Sequence, residues 1–169
     1  ILNGFFFWAD NRKENGDKTE TPVDGNTNGS GIAESSGRQE IIDALEQSLS
    51  NLVDDSSKLK IEWQKIENGD SGDCTITLLH PQQLTLAENQ IPQFPDISSI
   101  VSNLDYQISF GNYNLVRLAW EGYCSGLPLE EADRLGNVDR LDEAINIANT
   151  MINNTIPVLR TATPIPTFW

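Results

Sequence analysis

Ile42, Leu45, Leu49, Leu52, Ser56, Leu59, Trp63 and Ile66 recur at alternating spacings of three and four residues. That spacing gathers apolar side chains into one narrow stripe along a helix, and the stripe is stable only when other helices cover it. The pattern predicts a helix from about Arg38 to Glu67, ~45 Å long at ~1.5 Å per residue. Asn68-Gly69-Asp70 supplies the left-handed conformers that end it. Beyond Pro95, with Asp96 placed as a cap, Ile97, Val101, Leu104, Ile108, Leu115 and Leu118 continue the same seam toward Cys124. Gly111 takes one seam position, marking either a close helix approach or a kink near Phe110. A third helix is expected from about Val138 to Asn153, with Leu141, Ile145, Ala148 and Ile152 facing inward. The expected fold is all-α, a bundle of three principal helices over residues 38–156.

The segments between and around these helices read differently. Thr75 to Leu79 is β-prone, and Pro81, Pro92 and Pro95 exclude a long helix, so an extended connection with room for a short strand is expected. Pro128 to Gly136 reads as a short helical turn and a stop. Ile156-Pro157 and the Thr161 to Thr167 stretch, with Pro164 and Pro166, predict an extended polyproline-type tail over residues 157–169. Residues 10–37 hold only Val23, Ile32 and Ala33 as aliphatic side chains, a composition that suits a solvated spacer. Residues 1–9 are apolar, and the chain starts with Ile rather than Met, as a processed form or a fragment would. Two readings of this segment stand: the stub of a membrane anchor, or an arm that docks on protein.

Composition removes several classes of function. With 11 Lys and Arg against 25 Asp and Glu, the net charge is −14, and the surrounding field repels phosphate backbones and anionic headgroups. Nucleic acid is an unsuitable partner, and a membrane enters only through an anchor at or before residues 1–9. One histidine, His80, and two widely spaced cysteines exclude multi-histidine sites, zinc ribbons and iron–sulfur cages. Cys74 lies just past the first long helix and Cys124 near the end of the second. In an oxidising compartment they are expected to pair; two buried free thiols are the reading for a reducing one. Pairing would make the two helices parallel and send the connection back along the bundle. About 20 extended residues reach ~66 Å, enough for that return. The link would contribute ~3–4 kcal/mol in the chain-entropy model.

Few residues carry chemistry. Asp24, Asn26 and Asn28, with Gly25 and Gly29, match the opening of an oxygen-ligand calcium loop, although the closing Glu is missing at Ser35. His80 before Pro81 reads as a surface or capping residue, and the acidic groups Asp54-Asp55, Glu130-Glu131-Asp133 and Asp139-Asp142-Glu143 as solvated helix faces. No catalytic residue is expected. Trp63, Tyr106, Phe110, Tyr113, Trp120 and Tyr123 read as core, with Trp120 and Tyr123 near the Cys124 sulfur. Sequons occur at Asn28 and Asn153. Ile1, Leu2, Phe5, Phe6, Phe7 and Trp8 at one end, and Phe168 and Trp169 at the other, have no helix to hide in and are candidates for contact with other subunits.

A long amphipathic helix ending in Trp63-Gln64-Lys65-Ile66, then Cys74 and a Pro-containing connection, leads to a second helix with Tyr106 and Tyr113-Asn114-Leu115-Val116-Arg117, ending at Cys124. This layout resembles uncharacterised all-helical extracytoplasmic domains of bacterial surface proteins, which hang from a membrane segment or lipid by a polar linker. The resemblance spans roughly Arg38 to Asn154 and implies location and fold, with no catalytic residues to transfer. The expectation is a non-enzymatic extracytoplasmic subunit that assembles with like or unlike subunits, as a homopolymer for instance, through its apolar ends. One form adds the N-terminal segment to a neighbour as a strand. The alternative is a ligand- or glycan-binding module with a pocket near Trp120 and Tyr123.

Overall fold

The structure is a computed structural model that describes residues 30–80 and 93–162, with side chains of the first helix described from residue 37. Among the described residues six α-helices run in the order α1 (Ser30–Glu67), α2 (Pro95–Val101), α3 (Leu104–Cys124), α4 (Leu129–Leu135), α5 (Asp139–Thr150) and α6 (Ile156–Thr161). A π turn, Met151–Thr155, joins the last two. The fold is all-α, and the described residues contain no strand.

The first seam is buried as expected: Ile42, Leu45, Leu49, Leu52, Ser56, Leu59 and Trp63 are fully enclosed and Ile66 nearly so. The helix starts at Ser30 rather than near Arg38, because a long packed helix extends at little cost into residues of moderate propensity such as Ala33 and Glu34. Glu67 is its last residue, and Gly69 follows with φ +85°, a left-handed conformation that an L side chain resists.

The second helix departs from expectation. Ser102 closes α2, and Asn103 opens α3 with its side chain accepting from the Asp105 N–H at 2.9 Å. An Asn cap with extended backbone resets the helix phase, so Ile97 and the residues beyond Asn103 do not share one stripe. Residues 156–161 depart too, while the expected tail from residue 163 on lies outside the described residues. Ile156 and Leu159 are buried and α6 continues to Thr161, where a polyproline tail was expected from residue 157. Pro157 lies in the first turn of α6, where a missing N–H costs nothing. The π turn before it re-phases the chain, so that Met151 and Ile156 both reach the core.

Cross-helix contacts give the directions. Tyr113 meets Asp55 and Trp120 meets Trp63, so the numbering rises together and α1 and α3 are parallel. Lys60 pairs with Asp142 while Arg160 pairs with Asp43 and Glu46, so α5 and α6 run back along α1. The connection after α1 also runs back along it, as the parallel pair requires: Asp73 is bonded to Glu62, Leu79 to Asp55, and Asp96 to Arg38 at 2.5 Å. The described part of Thr75 to Leu79 is irregular, not a strand. The Leu79 N–H and carbonyl are taken by the Asp55 and Tyr113 side chains of two helices, and the Thr75 and Ile76 N–H groups by Asp73, instead of by a sheet partner.

Candidate functional site

α3 carries two apolar stripes. Tyr106, Phe110, Tyr113, Val116 and Trp120 point into the bundle and are buried. On the opposite side lie Leu104, Ile108, Gly111, Leu115, Leu118 and Gly122, again spaced alternately four and three apart. Leu104 is 70% exposed, Leu118 49% and Leu115 43%, with Gly111 open and Ile108 half-buried. This corrects the expected inward seam through Leu104, Leu115 and Leu118: the heptad is real but faces outward. The reason is size. Two stripes of equal period compete for one core, and the one bearing two tyrosines, a phenylalanine and a tryptophan removes more area from water. Gly111 accordingly marks no close approach among the described residues, since a Cβ there would meet none of their atoms within 4 Å.

The close approaches belong to other glycines. A Cβ on Gly136 would fall 2.5 Å from the Ala119 Cβ and 2.9 Å from the Val116 Cα, and one on Gly72 would fall 2.6 Å from the Trp120 ring. These bring the α4–α5 turn and the post-α1 connection onto α3. Both were missed in the sequence, where a turn glycine and a packing glycine look alike.

A polar clasp fixes the inner face. Asp55, expected in a solvated pair, is 2% exposed and accepts from the Leu79 N–H at 2.6 Å, Lys58 Nζ at 2.9 Å and the Tyr113 hydroxyl at 3.3 Å. Tyr113 donates to the Leu79 carbonyl at 2.7 Å. Burial pushes the Tyr113 phenol well above the ordinary tyrosine range, and the Asp55 charge beside it pushes the same way. Burial also raises Tyr106 to about 12, with the Ser48 hydroxyl offsetting part of the rise. Both phenols stay neutral, as packing groups do. The clasp joins α1, the connection and α3, and its carboxylate is buried and spent on three donors, so it is structural.

At the far end of α1 and α3, Cys74 and Cys124 form a disulfide, with Cα atoms 5.6 Å apart. Trp63 and Trp120 pack at 5.7 Å between ring centroids, and Trp120 and Tyr123 at 5.8 Å. Trp120 is 2% exposed, so the region expected as an aromatic ligand pocket is filled by its own rings. Beside it Glu62 accepts from Lys65 at 2.6 Å and from the Asp73 N–H at 2.8 Å; these two bonds hold its carboxyl below the usual glutamate value.

A cleft of about 270 Å³ opens instead where α2 meets α3, lined by Ile100, Asn103, Asp105, Asn146, Met151 and Thr155 among others. Asn153, the second sequon, is exposed on the π turn, with its Nδ2 donating to the Asn149 carbonyl at 2.8 Å. Among the described residues no cluster of three or more His, Cys, Asp or Glu is placed to hold a metal, and no helix is long and apolar enough to cross a membrane. Asp24, Asn26 and Asn28, the apolar segment Ile1 to Trp8, and Phe168-Trp169 lie outside the described residues.

No family model, curated protein or solved structure matches the chain.

Proposed function

We propose that the chain is a non-enzymatic extracytoplasmic structural subunit, displayed on its polar N-terminal region and assembling with other subunits through apolar surfaces. The observation that carries this reading is the outward stripe of α3, three leucines 43–70% exposed on a helix whose other face is already sealed. Contiguous exposed apolar surface on a domain with a complete core marks a contact with another molecule. The disulfide is in keeping with an oxidising compartment. The apolar ends, Ile1 to Trp8 and Phe168-Trp169, add further contacts in this reading. Docking of an end as a strand finds no sheet edge among the described residues, so a helix-on-helix or groove mode fits better.

Native mass by light scattering, for the full chain beside one lacking Ile1 to Ala9, tests the role of the N-terminal end. Species larger than a dimer in the full chain, and none in the shortened one, are expected. The same size distribution for both overturns assembly through that end. The ligand-binding alternative now rests on the cleft beside Ile100, Asp105 and Met151. A panel of small glycans that raises the melting temperature, with the gain lost in Asp105→Ala, would favour it.

A further inference from the structure

The outer stripe of α3 is symmetric about its own middle. Leu104 and Leu118 lie equally far from Gly111 along the helix, and Ile108 and Leu115 flank it at three and four residues. Laid antiparallel on a second α3, the stripe matches itself: Leu104 of one copy meets Leu118 of the other, Ile108 meets Leu115, and glycine faces glycine at the crossing. That is the condition for a two-fold interface, in which one patch serves as both surfaces. Gly111 carries no side chain, and no atom of the described residues lies within 4 Å of where a Cβ would project, so the two backbones can approach closely there.

Charge points to the same occupant. The chain carries −14 overall, yet Gln107, Ile108, Gly111, Asn114, Leu115, Leu118 and Gly122 form a strip with no charged residue. Glu121 at its border is tied to Arg117, and Asp105 lies toward the cleft on the other side. A surface built for a basic partner would present carboxylates in this strip; one built for a copy of the same acidic chain must keep them out. We infer that the outer face of α3 pairs antiparallel with the α3 of a second copy, centred on Gly111. This rests on the proposed subunit reading and names its partner for this face. A helix pair of this length covers less than about 1,000 Å² in all, so the dimer is weak and concentration-dependent. Because the two copies repel at long range, salt tightens it.

The test uses the full, disulfide-intact chain in sedimentation velocity up to about 1 mM protein, at about 0.05 M and about 0.5 M NaCl. A pairing of the smallest sedimenting species into one of twice its mass, strengthening at the higher salt, is expected beneath any larger species that the apolar ends build. The Leu115→Gln, Leu118→Gln double variant should raise the dissociation constant at least about tenfold while keeping its helical circular dichroism. Oxidising a mixture of Leu104→Cys and Leu118→Cys chains should give a mixed cross-linked dimer faster than either variant links to itself. A chain that stays monomeric, or weakens with salt, overturns the inference. So does Leu104→Cys linking to itself in preference. A dimer unaffected by the double variant also overturns it, while leaving assembly through the apolar ends in place.

Discussion

The inner and outer faces of α3 use the same repeat and the same class of side chain, and they have opposite fates. Tyr106, Phe110, Tyr113 and Trp120 are buried in the bundle, while Leu104, Leu115 and Leu118 remain open. Period alone therefore says that a helix has an apolar stripe and not which stripe the fold will use. Where two compete, bulk decides, since each aromatic ring buries more area than a leucine and adds ring-on-ring contacts such as the 5.7 Å pair of Trp63 and Trp120. The leftover stripe is then free to serve contacts outside the domain.

Substitutions on the two faces sharpen that contrast. The largest effect is expected for Trp120→Ala, which removes a ring packed on both Trp63 and Tyr123 and should destabilise the bundle by about 3–5 kcal/mol in urea unfolding. A loss under about 1 kcal/mol would mean that the inner face is not the organising core. Gly136→Ala comes next. Its new methyl would meet the Ala119 Cβ and the Val116 backbone, so the α4–α5 turn must back away from α3, with an expected cost of about 1–3 kcal/mol. Unchanged stability there would show that the turn yields freely. Leu118→Gln on the outer face should alter monomer stability by no more than about 0.5 kcal/mol, read from the same denaturation curves at low protein concentration. A large loss would place that face inside the domain's own core and erase the distinction.

What could be read from residues alone follows the same logic. The inward stripe of α1 and its end at Glu67 were legible because one stripe carries nearly all its large apolar residues, although its start at Ser30 was not, and the cysteine pair was legible because Cys74 lies just past one helix end and Cys124 at another. α3 was misread because its leucine seam had the cleaner repeat, while the aromatic seam was mixed with Ser109, Asn112 and Arg117, all buried. The C-terminal helix was hidden by Pro157, which reads as a breaker unless the π turn ahead of it is known. Asp55 looked like half of a surface acidic pair. Its burial depends on Leu79 and Tyr113, distant in the chain, and no local pattern announces a partner supplied from elsewhere.

The parallel placement of α1 and α3 has a mechanical consequence. Arg160 of α6 lies against Asp43 and Glu46 of α1, so the last described helix ends toward the N-terminal part of α1 while the disulfide holds the other end of the bundle. Tension between the start of α1 and the end of α6 would open the described bundle like a zip, stripping α6 and then α5 from α1 one contact at a time. It would stop at Cys74–Cys124, because the 50 residues of chain across that link, on the order of 160 Å if drawn straight, cannot pay out while it is closed.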